Sequence, residues 1–260
     1  LISGTHLSHP DTREACLFAM RAAKAAGTRV VLDIDYRPVL WGLTAPGMGE
    51  RRFVASQAVS DEIQSVLPLC DLVVGTEEEV HIAGGSEDTL TALRRIRQVS
   101  SALIVMKRGP MGCVAFPAAI PADLAEGVQG PGFPVEVFNV LGAGDAFMAG
   151  LLRGWVRGEP LADALRYANA CGALVVSRHG CAPAMPSWVE LNHFLSEGSS
   201  FSRLREDEQL EHLHRTTTRT PQGRSLAILA FDHRAQLEEL AARFGASAER
   251  IARFKQLVAQ

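Results

Sequence analysis

Short apolar runs, separated by helix-length stretches of mixed polarity, constrain the fold of this chain more than any other feature. Arg29-Val-Val-Leu-Asp-Ile34 and Asp71-Leu-Val-Val74 read as strands, and Ala102-Leu-Ile-Val-Met106 as a buried one. Helical stretches lie around them. One is opened by Asp11 and Glu14 in capping-box spacing and closed near Gly27; others run over about 50–67, from Thr76 through Gly84-Gly85, and around 87–98. Val114-Ala-Phe116 and Pro134-Val-Glu-Val-Phe138 look like further strands, followed by helices over about 143–157 and 161–177. Strands alternating with helices predict an α/β fold whose largely parallel sheet is covered on both faces.

A chain of 260 residues with 47% hydrophobic content can bury a substantial core as one or two globular domains. No uncharged apolar run approaches the roughly 18 residues of a membrane span. Leu1-Ile-Ser-Gly-Thr-His6 lacks the basic start and long apolar run of a signal peptide, so a soluble, cytoplasmic protein without a membrane partner is expected. The net charge of -3 gives no sign of a general nucleic-acid binder. Cys16, Cys70, Cys113, Cys171 and Cys181 are odd in number, scattered and without a Cys-x-x-Cys pair, which argues for small core residues over a disulfide framework or zinc site. His212 and His214 flank Leu213 in a charged segment with no Cys or third His nearby, and read as solvated.

The organisation changes near Ser196. Residues 197–224 are rich in Ser, Thr, Arg and Glu with few large apolar side chains, and read as a linker holding at most one short helix. Ser225-Leu-Ala-Ile-Leu-Ala-Phe231 and the following Asp232-His-Arg-Ala-Gln-Leu-Glu-Glu-Leu240 look like the first strand and helix of another α/β domain, interrupted at Gln260. About thirty-five residues cannot form such a domain alone. The expected division is therefore 1–195, a linker over 196–224, and the start of a second domain over 225–260.

One segment carries chemistry. Asn139-Val-Leu-Gly-Ala-Gly-Asp-Ala-Phe-Met-Ala-Gly-Leu-Leu152 ends a β-like run with a glycine-lined turn and sets a carboxylate at a helix start. First-turn backbone N–H groups lack helical partners and sit at the positive end of the dipole, so such a turn can hold phosphate. Asp145 would repel a statically bound pyrophosphate, yet could take a proton from a hydroxyl attacking a phosphoryl group held by the neighbouring amides. Gly-Ala-Gly-Asp is equally compatible with ordinary turn and cap chemistry. No Gly-Lys-Ser/Thr follows, and Phe147 occupies the third-glycine position of a dinucleotide fingerprint, so both of those nucleotide motifs fit poorly.

The whole run resembles the C-terminal signature of the ribokinase (PfkB) family of carbohydrate kinases. Leu32-Asp-Ile-Asp-Tyr-Arg-Pro-Val-Leu-Trp41 resembles that family's Asp-x-Asn-x-Arg motif with Asp35 in place of Asn, and Arg37 could meet a phosphate or a substrate carboxylate or simply pair with Asp33 or Asp35. Thr76-Glu-Glu-Glu79 falls where relatives have Asn-x-x-Glu, whose Glu helps organise magnesium and water around nucleotide phosphates; the same spacing is a capping box. Val105-Met-Lys-Arg-Gly-Pro-Met-Gly112 resembles the family's nucleotide-lining Lys-x-Gly-x-x-Gly loop, which implies nucleotide roles for Lys107, Gly109 and Gly112. Tyr167-Ala-Asn-Ala-Cys-Gly-Ala-Leu174 looks like the helix bordering the adenine, with Asn169 its polar candidate.

The resemblance implies a three-layer ribokinase-like fold, ATP and Mg2+ as cofactors with no direct protein ligand to the metal, and Asp145 as general base. Gly142, Ala143 and Gly144 would supply amides that stabilise charge on the transferring phosphoryl oxygens. Asn139 stands where many members carry an Asp that helps bind a monovalent cation, so that site is not carried over intact. Ile2-Ser-Gly-Thr-His-Leu7, Gly75-Thr-Glu-Glu-Glu-Val-His-Ile-Ala-Gly-Gly85 and Ser177-Arg-His-Gly-Cys-Ala-Pro-Ala-Met-Pro186 are similar to one branch, which phosphorylates the 6-hydroxyl of 5-dehydro-2-deoxy-D-gluconate in inositol catabolism. The implied partners are ATP and a small sugar acid. Some members of that branch carry a C-terminal aldolase-like barrel domain, and Ala230-Phe-Asp-His-Arg234 is similar to its opening strand. A kinase for 2-keto-3-deoxygluconate or fructose, or a non-catalytic sugar- or nucleotide-binding module, are the alternatives. Leu1 falls in what resembles the middle of the family fold, so the lid and most sugar contacts are expected upstream. The chain as given is then expected to lack kinase activity, and its open sheet edge to favour a homo-oligomer.

Overall fold

Six short strands pair in chain order into one sheet. In the computed structural model, which describes residues 1–45, 53–218 and 235–259, β1 (Ile2–Ser3), β2 (Val31–Asp33), β3 (Leu72–Thr76) and β4 (Leu103–Lys107) run parallel. β5 (Cys113–Phe116) and β6 (Val128–Gly130) add antiparallel beyond β4. Side chains alternate across a strand, and this register sorts them cleanly. Leu32, Val73, Ile104, Met106, Val114 and Phe116 enter one core, while Val31, Leu72, Val74, Val105, Cys113 and Ala115 enter another.

Crossovers between parallel neighbours are right-handed, so successive strands laid side by side put their connecting helices on one face. α1 (Pro10–Ala25), α2 (Gln57–Val66), α3 (Glu77–Gly84) and α4 (Thr89–Val99) accordingly deliver Met20, Ile63, Val80, Ile82, Leu93 and Ile96 to the first core. α5 (Ala143–Arg157) and α6 (Leu161–Val176) cover the other face with Phe147, Met148, Leu151 and Leu165. Those two helices approach closely because a Cβ at Gly150 would lie 2.6 Å from the Tyr167 carbonyl oxygen.

The sequence expectations hold for most elements, and the differences have local causes. α1 is capped by His9, whose ring accepts from the Asp11 N–H, rather than by Asp11 itself. α2 starts at Gln57 under a Ser56 cap, while part of the expected helix over 50–67 lies outside the described residues. Pro134–Phe138 has no regular structure and joins no strand among the described residues. Its amides at Glu136 and Phe138 donate to Ser202 O and Val176 O, each at 2.7 Å, and β6 takes the place beside β5.

The expected linker needs the largest correction. α7 (Trp188–Glu197) and α8 (Glu208–Thr217) pack Leu191, Phe194 and Leu210 with Leu174 and Val175, and the first compact unit extends to Thr218. Residues 196–218 therefore belong to that unit. His214 is buried within it, contrary to the solvated reading, whereas His212 is exposed. A second unit spans Arg219–Gln260 and contains α9 (Ala235–Arg243) and α10 (Ala248–Ala259). The strand expected over 225–231, Ala230-Phe-Asp-His-Arg234 included, lies outside the described residues.

All five cysteines are free. Burial pushes the Cys70 and Cys171 thiols up to about 12 and Cys113 up to about 11. Cys16 and Cys181 are only half-buried. Among the described residues no helix is long and apolar enough to cross a membrane.

Candidate active site

Parallel strands bring their carboxyl ends to one edge, where α/β proteins assemble ligand sites. Ser3, Asp33, Thr76 and Lys107 end β1 to β4 there. Lys107 Nζ lies 3.2 Å from Asp33 Oδ1 and 3.9 Å from Glu79 Oε2, and all three side chains are at most 17% exposed. Burial alone would draw the Lys107 ammonium below its ordinary value, but the Asp33 and Glu79 carboxylates outweigh it and hold Lys107 above that value. Burial pushes the Asp33 carboxyl up; Lys107 draws it down without cancelling the rise, and Glu79 adds to it. Asp33 is a site residue that sequence reasoning missed as a site member. The only signal was a carboxylate closing an apolar strand.

Glu79 sets both ends of this arrangement. The Thr76-x-x-Glu79 spacing forms a true capping box: Thr76 Oγ1 accepts from the Glu79 N–H, and Glu79 Oε2 accepts from the Thr76 N–H at 2.6 Å. Glu79 Oε1 also accepts from the Tyr36 N–H at 3.2 Å, which ties the segment after β2 to the start of α3. Both carboxylate oxygens are thus engaged within the protein.

The glycine turn closes the site from the other side. Gly142 has φ +84°, and a Cβ there would lie 2.5 Å from Cys181 Sγ, so glycine is required on both counts. Asn139 braces the turn, its Oδ1 accepting from the Leu141 N–H at 3.1 Å and its Nδ2 donating to Gly180 O at 3.3 Å. Of the three amides anticipated as donors, Ala143 N–H is committed to Val140 O at 3.2 Å. Among the described residues the N–H groups of Gly142, Gly144 and Asp145 have no acceptor. A Cβ on Gly144 would meet only Lys107 Nζ, at 3.8 Å. The Lys107 ammonium therefore lies beside the start of α5, whose free amides and positive dipole end complete a donor set that suits phosphate oxygens. Asp145, exposed, stands in the first turn of α5. Among the described residues no side chain pairs with it.

Arg37 does not reach this cradle. It is 63% exposed and donates from Nε to Asp35 Oδ1 at 3.1 Å. Asp35 adopts φ +34°, and its other oxygen accepts from Ser3 Oγ and Thr5 Oγ1, each at 2.8 Å. Burial pushes the Asp35 carboxyl up, but the hydrogen bonds from Thr5, Ser3 and Arg37 outweigh it and hold it below its usual range. The sign follows directly. A depressed carboxyl contributes stability above its unfolded value of about 3.9, and loses it as pH falls through the lower folded value. In urea titrations from about pH 6 down to about pH 2, wild type is expected to lose stability more steeply than Asp35→Asn below about pH 4. Parallel curves would show that these hydrogen bonds do not favour the charged form.

On the opposite flank the Lys107–Gly112 loop is folded tightly, with Arg108 N–H donating to Gly112 O at 2.8 Å and both Gly109 and Gly112 at positive φ. A Cβ on Gly112 would fall 2.1 Å from Gly130 O. Asn169 lies beneath this corner, its Nδ2 donating to Leu165 O and to Cys113 Sγ, each at 3.1 Å. The structure thus groups Lys107 with Gly144 and Asp33, and Asn169 with the glycine corner.

Comparison with known proteins bears on this geometry. A family model described as pfkB family carbohydrate kinase matches residues 2–188. A second, described as an uncharacterised protein conserved in bacteria, matches residues 190–260. A 5-dehydro-2-deoxygluconokinase of Geobacillus kaustophilus is 29% identical over 209 residues, covering 79% of this chain and 57% of that protein. Among solved structures, aminoimidazole riboside kinase from Salmonella enterica, complexed with aminoimidazole riboside and an ATP analog, aligns with TM-score 0.61 and 28% identity over 75% of this chain and 61% of its own. Fructokinase from Vibrio cholerae, bound to fructose, ADP and calcium ion, aligns with TM-score 0.61 and 27% identity over 75% and 59%. The chain spans little more than half the length of the curated relatives it matches.

Proposed function

The chain belongs to the pfkB family of carbohydrate kinases, and from that premise we propose that it carries the phosphoryl-transfer half of an ATP-dependent kinase for the 6-hydroxyl of 5-dehydro-2-deoxy-D-gluconate. The carrying observation is that Lys107 Nζ lies beside Gly144 at the start of α5, where first-turn amides are free and Asp145 is exposed. When bound, ATP supplies the γ-phosphoryl group and Mg2+ neutralises its phosphate oxygens.

In this reading Asp145 accepts the proton of the attacking hydroxyl as it bonds to the γ-phosphorus and the bond from that phosphorus to ADP breaks. The amides of Gly142, Gly144 and Asp145 stabilise charge on the phosphoryl oxygens, and Lys107, held in place by Asp33 and Glu79, adds a fixed positive charge. Gly109, Gly112 and Asn169 line the nucleotide side, and Arg37 faces the carboxylate of the sugar acid. Residues 225–260 are read as part of an aldolase-like domain. The names of the curated relatives support the substrate. A kinase for another sugar is the second reading, favoured by the fructose held in one solved neighbour and the aminoimidazole riboside in the other.

ATP turnover across a panel of sugar acids and sugars, with protein spanning the full length of the relatives, separates these readings. For 5-dehydro-2-deoxy-D-gluconate, kcat/KM is expected to exceed that for 2-keto-3-deoxygluconate or fructose by at least about tenfold, a difference of about 1.4 kcal/mol in transition-state binding. Preference for another sugar rejects the substrate. Saturable ATP binding without turnover of any acceptor rejects the kinase reading.

A further inference from the structure

Beyond the match to the kinase family, which ends at residue 188, α8 contributes a buried charged network that reaches the back of the glycine turn. His214 on α8 places Nδ1 2.8 Å from Glu190 Oε2 and Nε2 2.8 Å from Pro183 O. Both neighbours are acceptors, and a neutral imidazole has a single N–H to give. Only the doubly protonated ring serves both. Arg178 approaches Glu190 Oε1 at 2.6 Å through Nη1 and donates from Nε to Glu211 Oε1 at 2.8 Å. Glu190 thus meets Arg178 and His214, while Glu211 meets Arg178 and, at 3.7 Å, Arg215. Without the His214 ring, the fully buried Glu190 keeps Arg178 as its one partner among the described residues, and the Pro183 carbonyl loses its donor.

The anchored backbone leads straight to the proposed active site. Pro183, whose carbonyl His214 holds, lies two residues after Cys181, and Cys181 Sγ packs where Gly142 has no side chain. The intervening loop also offers Gly180 O to Asn139 Nδ2, at the other end of the same turn. A loop pinned at Arg178 and Pro183 presses on both Asn139 and Gly142. We infer that His214 is a positioning residue, clamping the 177–187 loop against the glycine turn and so fixing the amides at the start of α5. Its effect on turnover rests on the kinase reading above; its effect on the loop does not.

Cysteine labelling reads the loop directly. In the full chain, alkylation of Cys181 followed by mass spectrometry is compared with alkylation of Cys16 on α1, in wild type, His214→Ala, His214→Gln and the exposed-site control His212→Ala. Loss of a charge-assisted hydrogen bond shifts local opening by about tenfold or more. Cys181 is therefore expected to label about tenfold faster in His214→Ala, with Cys16 and the His212→Ala control unchanged. His214→Gln, which retains one donor pair, should fall between, and it decides the matter should His214→Ala fail to fold. Equal Cys181 rates in wild type and the folded His214 variants overturn the clamp. So does a rise shared equally by Cys16, which marks general destabilisation.

In the active full-length kinase the same substitution should lower kcat by about tenfold or more with the sugar KM little changed, because misplacing a site acts on the chemical step. Unchanged kcat with accelerated Cys181 labelling would limit the clamp to the loop and overturn its positioning role. Absence of turnover in wild type, with the labelling contrast intact, would instead sink the kinase reading and leave the loop clamp standing.

Discussion

Asp145→Asn is expected to lower turnover of the full-length kinase by about two to four orders of magnitude while leaving fold and nucleotide binding intact. The substitution keeps the shape of the side chain and removes its capacity to take a proton. Fold should tolerate it, because Asp145 is exposed and contributes to α5 chiefly through the helix dipole, about 0.3–1 kcal/mol at such a position. Nucleotide binding should also survive. The free amides, Lys107 and its carboxylate partners are untouched, and one negative charge leaves the neighbourhood of the phosphates. Steady-state kinetics beside ATP titration separate the two effects. A variant that turns over near the wild-type rate would show that the proton leaves by another route.

Local signals carried much of this architecture. Continuous apolar runs marked β2 to β5 because those strands are buried on both faces, and the Thr76 capping box and the positive-φ glycine at position 142 are local features that the structure shows. Misreadings arose where long-range partners decide. Pro134–Phe138 has the look of a strand, yet its amides find Ser202 and Val176. Asp33 was visible as a strand end, but the lysine that makes it part of the site lies 74 residues further on. Residues 196–218 look like linker by composition because charged pairs, rather than a wide apolar face, help hold α8. No local pattern could announce that His214 meets Glu190 and Pro183, which lie 24 and 31 residues away.

Arg178→Met should be the most destabilising substitution in that region, lowering the unfolding free energy by about 3–5 kcal/mol, against a total of about 5–15 kcal/mol for a typical domain. The guanidinium is 6% exposed and Glu190 is fully buried, so neither can turn to water when the other is removed. Methionine fills much of the same volume. The cost is therefore the stranded charge and not a cavity. His214 still faces Glu190, which places the loss toward the lower end of that range, while Glu211 can recover water because it is 21% exposed. This argument makes a sharper claim than the single variant. Adding Glu190→Gln removes the stranded charge while leaving an oxygen for the His214 Nδ1–H, so the double variant should be more stable than Arg178→Met alone by about 1–2 kcal/mol. Urea unfolding midpoints with unchanged slopes measure both. Additive losses would mean that Arg178 acts through packing, and that the carboxylate it touches does not depend on its charge.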